Sequence, residues 1–360
     1  MTAFPKNTDV FVVGGGPAGL AAAIAVRLKG FDVVVADVRQ PPIDKPCGEG
    51  LMPDSLEALR RLGVTLDDVE QSFPFRGIRF YGSGVSVAAV FPEGPAVGIR
   101  RTRLHEILIQ RAQEAGVSML WGTRVKGVQG ETVLLDGAAV QSRWVIGADG
   151  QNSRVRRWAD LDAAGHDSAR YGFRRHYRVA PWTDHMEIYW GSGCQMYVTP
   201  VSSREVCAAV ISRDSHLRFD NALPQFSELD SRLAQASAFT VEQGSVSASR
   251  RLRRVFRDQT VLIGDASGSV DAITGEGLSL SFHQALALAD ALVSEDLPAY
   301  ETEHRRLMKR PAFMAGLMLS LDRFPWLRPA ALHAMAFQPA IFEKLLAVHV
   351  GPPAAVPAVS

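Results

Sequence analysis

Six residues near the N-terminus, Gly14-Gly15-Gly16-Pro17-Ala18-Gly19, constrain the fold more than any other feature of the chain. They follow the β-branched and aromatic run 10–13 and open 17–29, an alanine-rich stretch of helical composition, after which 32–36 is strand-like again. Strand, glycine turn, helix and strand make a βαβ unit, the setting in which GxGxxG carries meaning. Gly14 can take the tight turn, Gly16 lets backbone N–H groups approach a pyrophosphate, and Gly19 permits close helix–strand packing. The helix N-terminus then faces the phosphates. Asp37, ending the second strand, is placed to accept hydrogen bonds from ribose hydroxyls. A dinucleotide is the expected ligand, and this motif alone does not choose between NAD and FAD.

Two later motifs make the choice. A buried-type strand runs into Gly147-Ala148-Asp149-Gly150-Gln151-Asn152-Ser153-Arg154-Val155-Arg156, and a second runs through Val261-Leu262-Ile263 into Gly264-Asp265-Ala266, with Gly275-Glu276-Gly277 and a helix beyond it. A strand ending in Gly-Asp can offer its carboxylate to a polyol such as a ribityl chain. The helix opened by Gly275–Gly277, with Leu278, can aim its positive end at the pyrimidine edge of a flavin.

These motifs, in this order, resemble the superfamily of flavin-dependent aromatic hydroxylases, flavin halogenases and geranylgeranyl reductases, over Val10 to about Leu292. Within it the chain is most similar to the geranylgeranyl reductase-like branch, through Pro46-Cys47-Gly48-Glu49-Gly50-Leu51, through Asp271-Ala272-Ile273-Thr274-Gly275-Glu276-Gly277, and through Arg101, Leu104, Leu108, Ala112 and Gly116 of an RxxLxxxLxxxAxxxG helix. The resemblance implies FAD, lined by Ala18, Asp37, Cys47, Gly48, Gly50, Arg101, Val125, Asp265, Gly277 and Leu278. Asp149 matches the hydroxylases' Asp-Gly segment, which supports the pyrophosphate and the nicotinamide donor; with a single GxGxxG here, NAD(P)H is the expected electron donor. The branch's YxWxFP substrate motif is reduced to Pro200 and one aromatic in Gln195–Pro200, the halogenases' WxWxIP is missing, and Gly268 and Ala272 stand where phenol hydroxylases carry His and Pro.

The expected fold is α/β: a Rossmann-type FAD/NAD(P)-binding fold interleaved with an antiparallel-sheet substrate domain, then a C-terminal helical segment. Strand-like alternation in 77–90 and 170–212 points to one antiparallel sheet built from two separated stretches. Helices are expected over 53–62 and 102–115, and from Gly277 to about Val350. The expected boundaries are 1–72, 98–165 and 255–300 for FAD binding, 73–97 and 166–254 for the sheet, 301–350 for the helices and 351–360 for a flexible tail.

Lys+Arg at 39 against Asp+Glu at 38 leaves +1, so bulk charge gives no reason to expect nucleic acid. Cys47, Cys194 and Cys207 fit no zinc or disulfide framework, no signal peptide or membrane-spanning helix is expected, and a cytoplasmic protein without a metal site follows. Peripheral contact with a membrane through the apolar C-terminal helices, or through the basic run 250–257, stays open.

Catalytic residues are not fixed by the sequence. Cys47 is either a flavin contact or a small buried hydrophobe. Glu49 and Glu276 are either proton donors beside the ring or helix N-terminal acids. Tyr197 and Trp190 either line a substrate pocket or fill the sheet core. His176, His185 and His283 match no triad or metal spacing. The leading expectation is an NAD(P)H-driven monooxygenase acting on a hydrophobic or phenolic small molecule. The alternative is a reductase of carbon–carbon double bonds in a lipid or polyketide, and a non-catalytic lipid or protein carrier ranks below both.

Overall fold

The computed structural model describes residues 4–66, 71–162 and 168–351, so nearly all of the tail expected over 351–360 lies outside the described residues. At the centre of the first layer runs the strand Asn7–Val13, whose Val10, Phe11 and Val12 are fully buried. Ala138–Gly147 lies parallel to it on one side and Val33–Asp37 on the other, and Ser118–Trp121 and Thr260–Leu262 extend the parallel sheet outward. Strands covered on both faces read as unbroken apolar runs, as in Val33–Ala36. Helix α1 (Pro17–Leu28) starts on Pro17, where no N–H is needed, and buries every residue from Gly19 to Val26. It packs against α3 (Arg101–Glu114) and α7 (Gly277–Val293), while α2 (Pro53–Arg61) also rests on α7. Within this layer α4 (Arg154–Trp158) follows the Asp149-Gly150 turn.

The second layer is an eight-stranded sheet ordered Ser237–Ala238, Ser168–Arg178, Glu205–Ser212, Cys194–Ser202, His185–Trp190, Gly77–Gly82 and Val85–Val90, with Gln243–Ser249 also paired to Ser168–Arg178. The two stretches read from the sequence do join in one sheet. It is not antiparallel throughout, however: Gly77–Gly82 runs parallel to His185–Trp190, with Ile78 opposite Met186 and Phe80 opposite Ile188. A parallel pair needs a crossover, and here much of the first layer, α3 included, forms it. One face is closed by α5 (Phe219–Ala222) and α6 (Ser227–Ala234), which bury Phe219, Leu229 and Leu233 against Tyr177, Tyr189 and Val198. Part of the other face meets the C-terminal helices: α8 (Leu297–Arg323) through Ala315 and Met318, α9 (Leu327–Phe337) through Leu332, and α10 (Pro339–Val350) through Phe342 and Leu346. A small third sheet, Ser72–Phe75, Ala96–Ile99 and Gly50–Leu51, ties the two layers together. No helix among the described residues is long and apolar enough to cross a membrane.

Candidate functional site

Between the parallel sheet and the uncovered part of the second sheet lies a cavity of about 920 Å³, toward the upper end of the range for small-molecule and cofactor pockets. It is lined by Gly14, Gly16, Ala18, Asp37, Cys47, Gly48, Arg101, Val125, Asp149, Asp265, Gly275, Glu276, Gly277 and Leu278. Residues proposed from motifs more than two hundred positions apart therefore face one space. Gly19 and Gly50 do not line it. A Cβ on Gly19 would overlap the Gly14 carbonyl oxygen, so this glycine closes α1 onto the turn, while Gly50 sits in the third sheet.

The glycines on the cavity wall test whether a dinucleotide fits. A Cβ built on Gly16, Gly48, Gly275 or Gly277 would meet no protein atom within 4 Å; it would project into the cavity. Glycine there keeps backbone amides open to a ligand, the requirement of a phosphate or flavin cradle. Gly14 differs, for at φ +112° its carbon faces the Ala148 backbone and only glycine can make the turn.

At the end beside the glycine turn, Asp37 Oδ2 accepts from Gly15 N at 2.8 Å and Oδ1 from Arg39 N at 2.8 Å, each oxygen keeping a lone pair for a hydroxyl. The glycine turn is also pinned by His105, which the sequence reading missed. Its Nδ1 accepts from Ile43 N at 3.2 Å, which leaves Nε2–H to donate to Gly15 O at 2.7 Å. Burial pushes this imidazole below its ordinary pKa, consistent with a neutral ring. Arg101, first in α3, lines the cavity with an Nε that has no hydrogen-bond partner among the described residues. The Asp149 carboxylate is already engaged: it accepts from Ser153 Oγ at 2.5 Å and Arg154 N at 2.6 Å, so it secures the start of α4 and shapes the wall. Arg156 joins that segment to the other motif by donating to Ala266 O and Gln151 O.

At the opposite end, Asp265 pairs with Lys45 at 3.0 Å, both side chains being about two-fifths exposed. Cys47 and Gly48 line the wall beside a buried charge cluster. Glu49, at φ +60°, accepts from Arg174 Nη1 at 3.0 Å, from Arg101 N at 3.0 Å and from His176 Nε2 at 2.7 Å. Arg174 also holds Asp44 at 2.8 Å. Although its burial disfavours the charge, its bond to Asp44 and the nearby Glu49 raise its pKa. Glu49 thus locks the Cys47–Gly50 loop to α3 and the second sheet, and His176, unassigned from its spacing, completes the lock. Glu49, His176 and Cys207 bring potential ligand atoms within 4.8 Å of one another, but the Arg174 guanidinium already serves the carboxylate and burial pushes the Cys207 thiol well up.

Tyr197 and Trp190 lie behind the cavity wall. Tyr197 donates to Ile273 O at 2.7 Å, and Trp190 stacks on Phe80 with ring centroids 5.7 Å apart. They belong to the packing between the sheet and the C-terminal helices. The sheet's contribution to the cavity comes instead from Gly172, Phe173, Ala209, Ile211 and Val246, with Arg170 and Arg174.

Glu276 ends the Gly275-Glu276 turn directly before α7 and is almost fully buried. Neither carboxyl oxygen has a hydrogen-bond partner among the described residues; Arg310 Nη2 is 3.8 Å away and His349 Nδ1 3.7 Å. Burial raises its pKa to about 8, Arg310 opposing and Asp54 reinforcing the shift.

A glycine turn between strand and helix, an acidic strand end and an open helix N-terminus thus share one cavity, the arrangement expected of a flavoprotein. The family of FAD-binding domains matches residues 7–295, and the chain belongs to it. It is 30% identical over 324 residues to the menaquinone reductase of Mycobacterium tuberculosis, spanning 81% of this chain and 78% of that protein. It is 27% identical to the digeranylgeranylglycerophospholipid reductase of Thermoplasma acidophilum, spanning 84% of each. Among solved structures, pqsL, a probable FAD-dependent monooxygenase from Pseudomonas aeruginosa, superimposes with a TM-score of 0.76 at 22% identity, covering 91% of this chain and 100% of the other, which shows the shared fold. The chain is an FAD-dependent oxidoreductase.

Proposed function

We propose that the chain reduces carbon–carbon double bonds of a hydrophobic, isoprenoid-bearing lipid or quinone, with NAD(P)H as the source of electrons. The observation that carries this reading is the likeness, along four-fifths of the chain, to two reductases whose named substrates bear isoprenoid chains. The apolar wall of Phe173, Ala209, Ile211 and Val246 suits such a substrate. On this reading reduction ranks ahead of hydroxylation, the reverse of the order expected from the sequence alone.

FAD supplies hydride exchange once it is bound. The chain's residues do the rest: the Gly14–Gly16 turn and the head of α1 hold the pyrophosphate, Asp37 the adenosine ribose, Asp265 the ribityl chain, and the head of α7 the pyrimidine edge. The Glu49–Arg174–His176 lock keeps the Cys47–Gly48 wall in register with the sheet, which sets the depth of the substrate space.

Hydroxylation remains the second reading, favoured by the hydroxylase-like 149–154 segment, which lines the same cavity. The test is anaerobic: FAD-loaded protein is reduced with NADPH, then mixed with a menaquinone or a geranylgeranyl lipid without oxygen, or with oxygen and phenolic substrates. Reoxidation of the flavin with loss of a side-chain double bond supports the proposal. Reoxidation only by oxygen, with an oxygenated product, transfers the function to the second reading.

A further inference from the structure

We propose that Glu276 is the protonic partner of the flavin: its carboxyl takes up a proton when negative charge forms at the α7 end of the cavity and releases it when that charge leaves. The inference needs the bound flavin and no particular substrate, so it stands apart from the reading of the reaction.

The geometry begins with an unbalanced charge count. Two acids, Asp54 on α2 and Glu276 before α7, share one guanidinium, that of Arg310 on α8. Arg310 Nη2 lies 2.8 Å from Asp54 Oδ2 and 3.8 Å from Glu276 Oε1, so Asp54 takes the hydrogen bond. Ser279 Oγ also donates to Asp54, at 2.8 Å. Among the described residues, the other groups facing this cluster are two histidines, a hydroxyl and, on the His283 side, Arg61 of α2. His349 on α10, buried, has its pKa pushed down to about 4; His283 on α7, 3.9 Å from Asp54, is also lowered by burial. Neither supplies a positive charge near neutrality. Thr274, in the turn before Glu276, donates to Asp271 O at a long 3.4 Å and also lies near enough to the Glu276 carboxyl to oppose part of the rise in its pKa. Glu276, almost fully buried, is left with only the longer, shared approach to Arg310, and burial raises its pKa to about 8.

Its place in the chain turns this into coupling. Glu276 immediately precedes Gly277, the first residue of α7, whose amide dipoles put partial positive charge at that end of the cavity. A neutral Glu276 leaves that charge to the flavin, whereas an ionised one competes for it. A negative charge on the flavin raises the proton affinity of Glu276, and by linkage the proton on Glu276 favours the charged flavin by the same factor. The balance is explicit. Below about pH 8, reduction takes two electrons and one proton onto the flavin, because Glu276 already carries its own proton. Above it, the same two electrons, from dithionite or a nicotinamide donor, bring a second proton from solvent, which converts the Glu276 carboxylate to the acid.

The test is the potential of the FAD-loaded protein, measured by dye equilibration at pH values on both sides of 8, in the wild type, Glu276→Gln and Glu276→Asp. The wild type is expected to show a break near pH 8, above which each pH unit shifts the equilibrium a further tenfold, about 30 mV for a two-electron couple. Glu276→Gln should lack the break, and Glu276→Asp should retain it at a displaced pH. Infrared titration of the protein, following the carboxylic acid band that Glu276→Gln removes, supplies a second readout should either variant fold poorly. Superimposable curves for wild type and Glu276→Gln, a uniform offset with no break removed, or a carboxyl already ionised at neutral pH would each overturn the proposal.

Discussion

Gly16 and Gly19 sit three residues apart in one motif, yet alanine at the two positions should fail for opposite reasons. Gly16 caps α1 at φ −73° and ψ 177°, extended backbone that alanine adopts freely, and its added Cβ would meet no protein atom. Losing the modest preference for glycine over alanine at a cap puts the stability cost within about 1 kcal/mol. The same methyl would occupy the space of the pyrophosphate; displacing one charge-assisted hydrogen bond of about 1.5–3 kcal/mol weakens FAD roughly tenfold to a hundredfold. Gly19→Ala gains about 1 kcal/mol of helix propensity, but its Cβ overlaps the Gly14 carbonyl oxygen and comes within 3.2 Å of Ala148 Cβ. Overpacking typically costs about 1–3 kcal/mol, and a rigid backbone neighbour places this case at or beyond the upper end, so the net is a loss of stability. The assay pairs urea melts of flavin-free protein with absorbance titration of FAD. Gly16→Ala should melt like the wild type and bind weakly. Gly19→Ala should melt early. Unchanged FAD affinity in Gly16→Ala, or equal destabilisation of the two variants, would refute the assignment of Gly16 to the ligand and Gly19 to packing.

Asp265→Ala should weaken FAD by roughly tenfold to a hundredfold through loss of a charge-assisted bond, at the lower end because the carboxylate must first leave Lys45; isothermal titration with FAD checks it. Glu49→Ala should destabilise the fold by about 3–5 kcal/mol, since it strips the buried Arg174 of one of its partners and α3 of its first-turn acceptor; calorimetry of the flavin-free protein reads this directly. The buried His304, 2.9 Å from Ser267 Oγ, has its pKa lowered by burial to about 4, as does His349. Their unfolded forms take up protons near pH 6.5 while the folded forms do not, so stability should be full above about 6.5 and fall as the pH drops toward 4. Denaturant titrations across that window should show a shallower fall in His304→Gln than in the wild type.

The sequence carried most of what lines the cavity, because those signals are local: a glycine turn between strand and helix, the Asp149-Gly150 and Gly264-Asp265 strand ends, and a helix stripe through Leu104, Leu108 and Ala112, all three buried. It was silent where a residue's role depends on distant chain. His105 lies on the same buried stripe as Leu104 and Leu108, and only the fold brings it to Gly15. Arg174 and His176 reach Glu49 across more than 120 positions, a pairing no spacing rule contains. Tyr197 and Trp190 alternate as pocket residues would, but alternation names a face without saying what covers it, and here the C-terminal helices do. The parallel pairing of Gly77–Gly82 with His185–Trp190 is hidden for the same reason, as each strand reads as an ordinary member of an antiparallel sheet.

That parallel pairing sets conditions on how the chain is made. Gly77 finds its partner only once His185 has left the ribosome, and the cavity wall extends to Gln284, so the early strands wait through about a hundred residues of synthesis with an edge unpaired. Long-range closure of this kind slows folding, since loop entropy is lost before the contacts that offset it exist. Because the cofactor cradle is complete only in the assembled molecule, FAD can act on the last stage alone, drawing the equilibrium toward the native state in proportion to its free concentration. Riboflavin supply during expression is then a determinant of how much folded protein a cell accumulates.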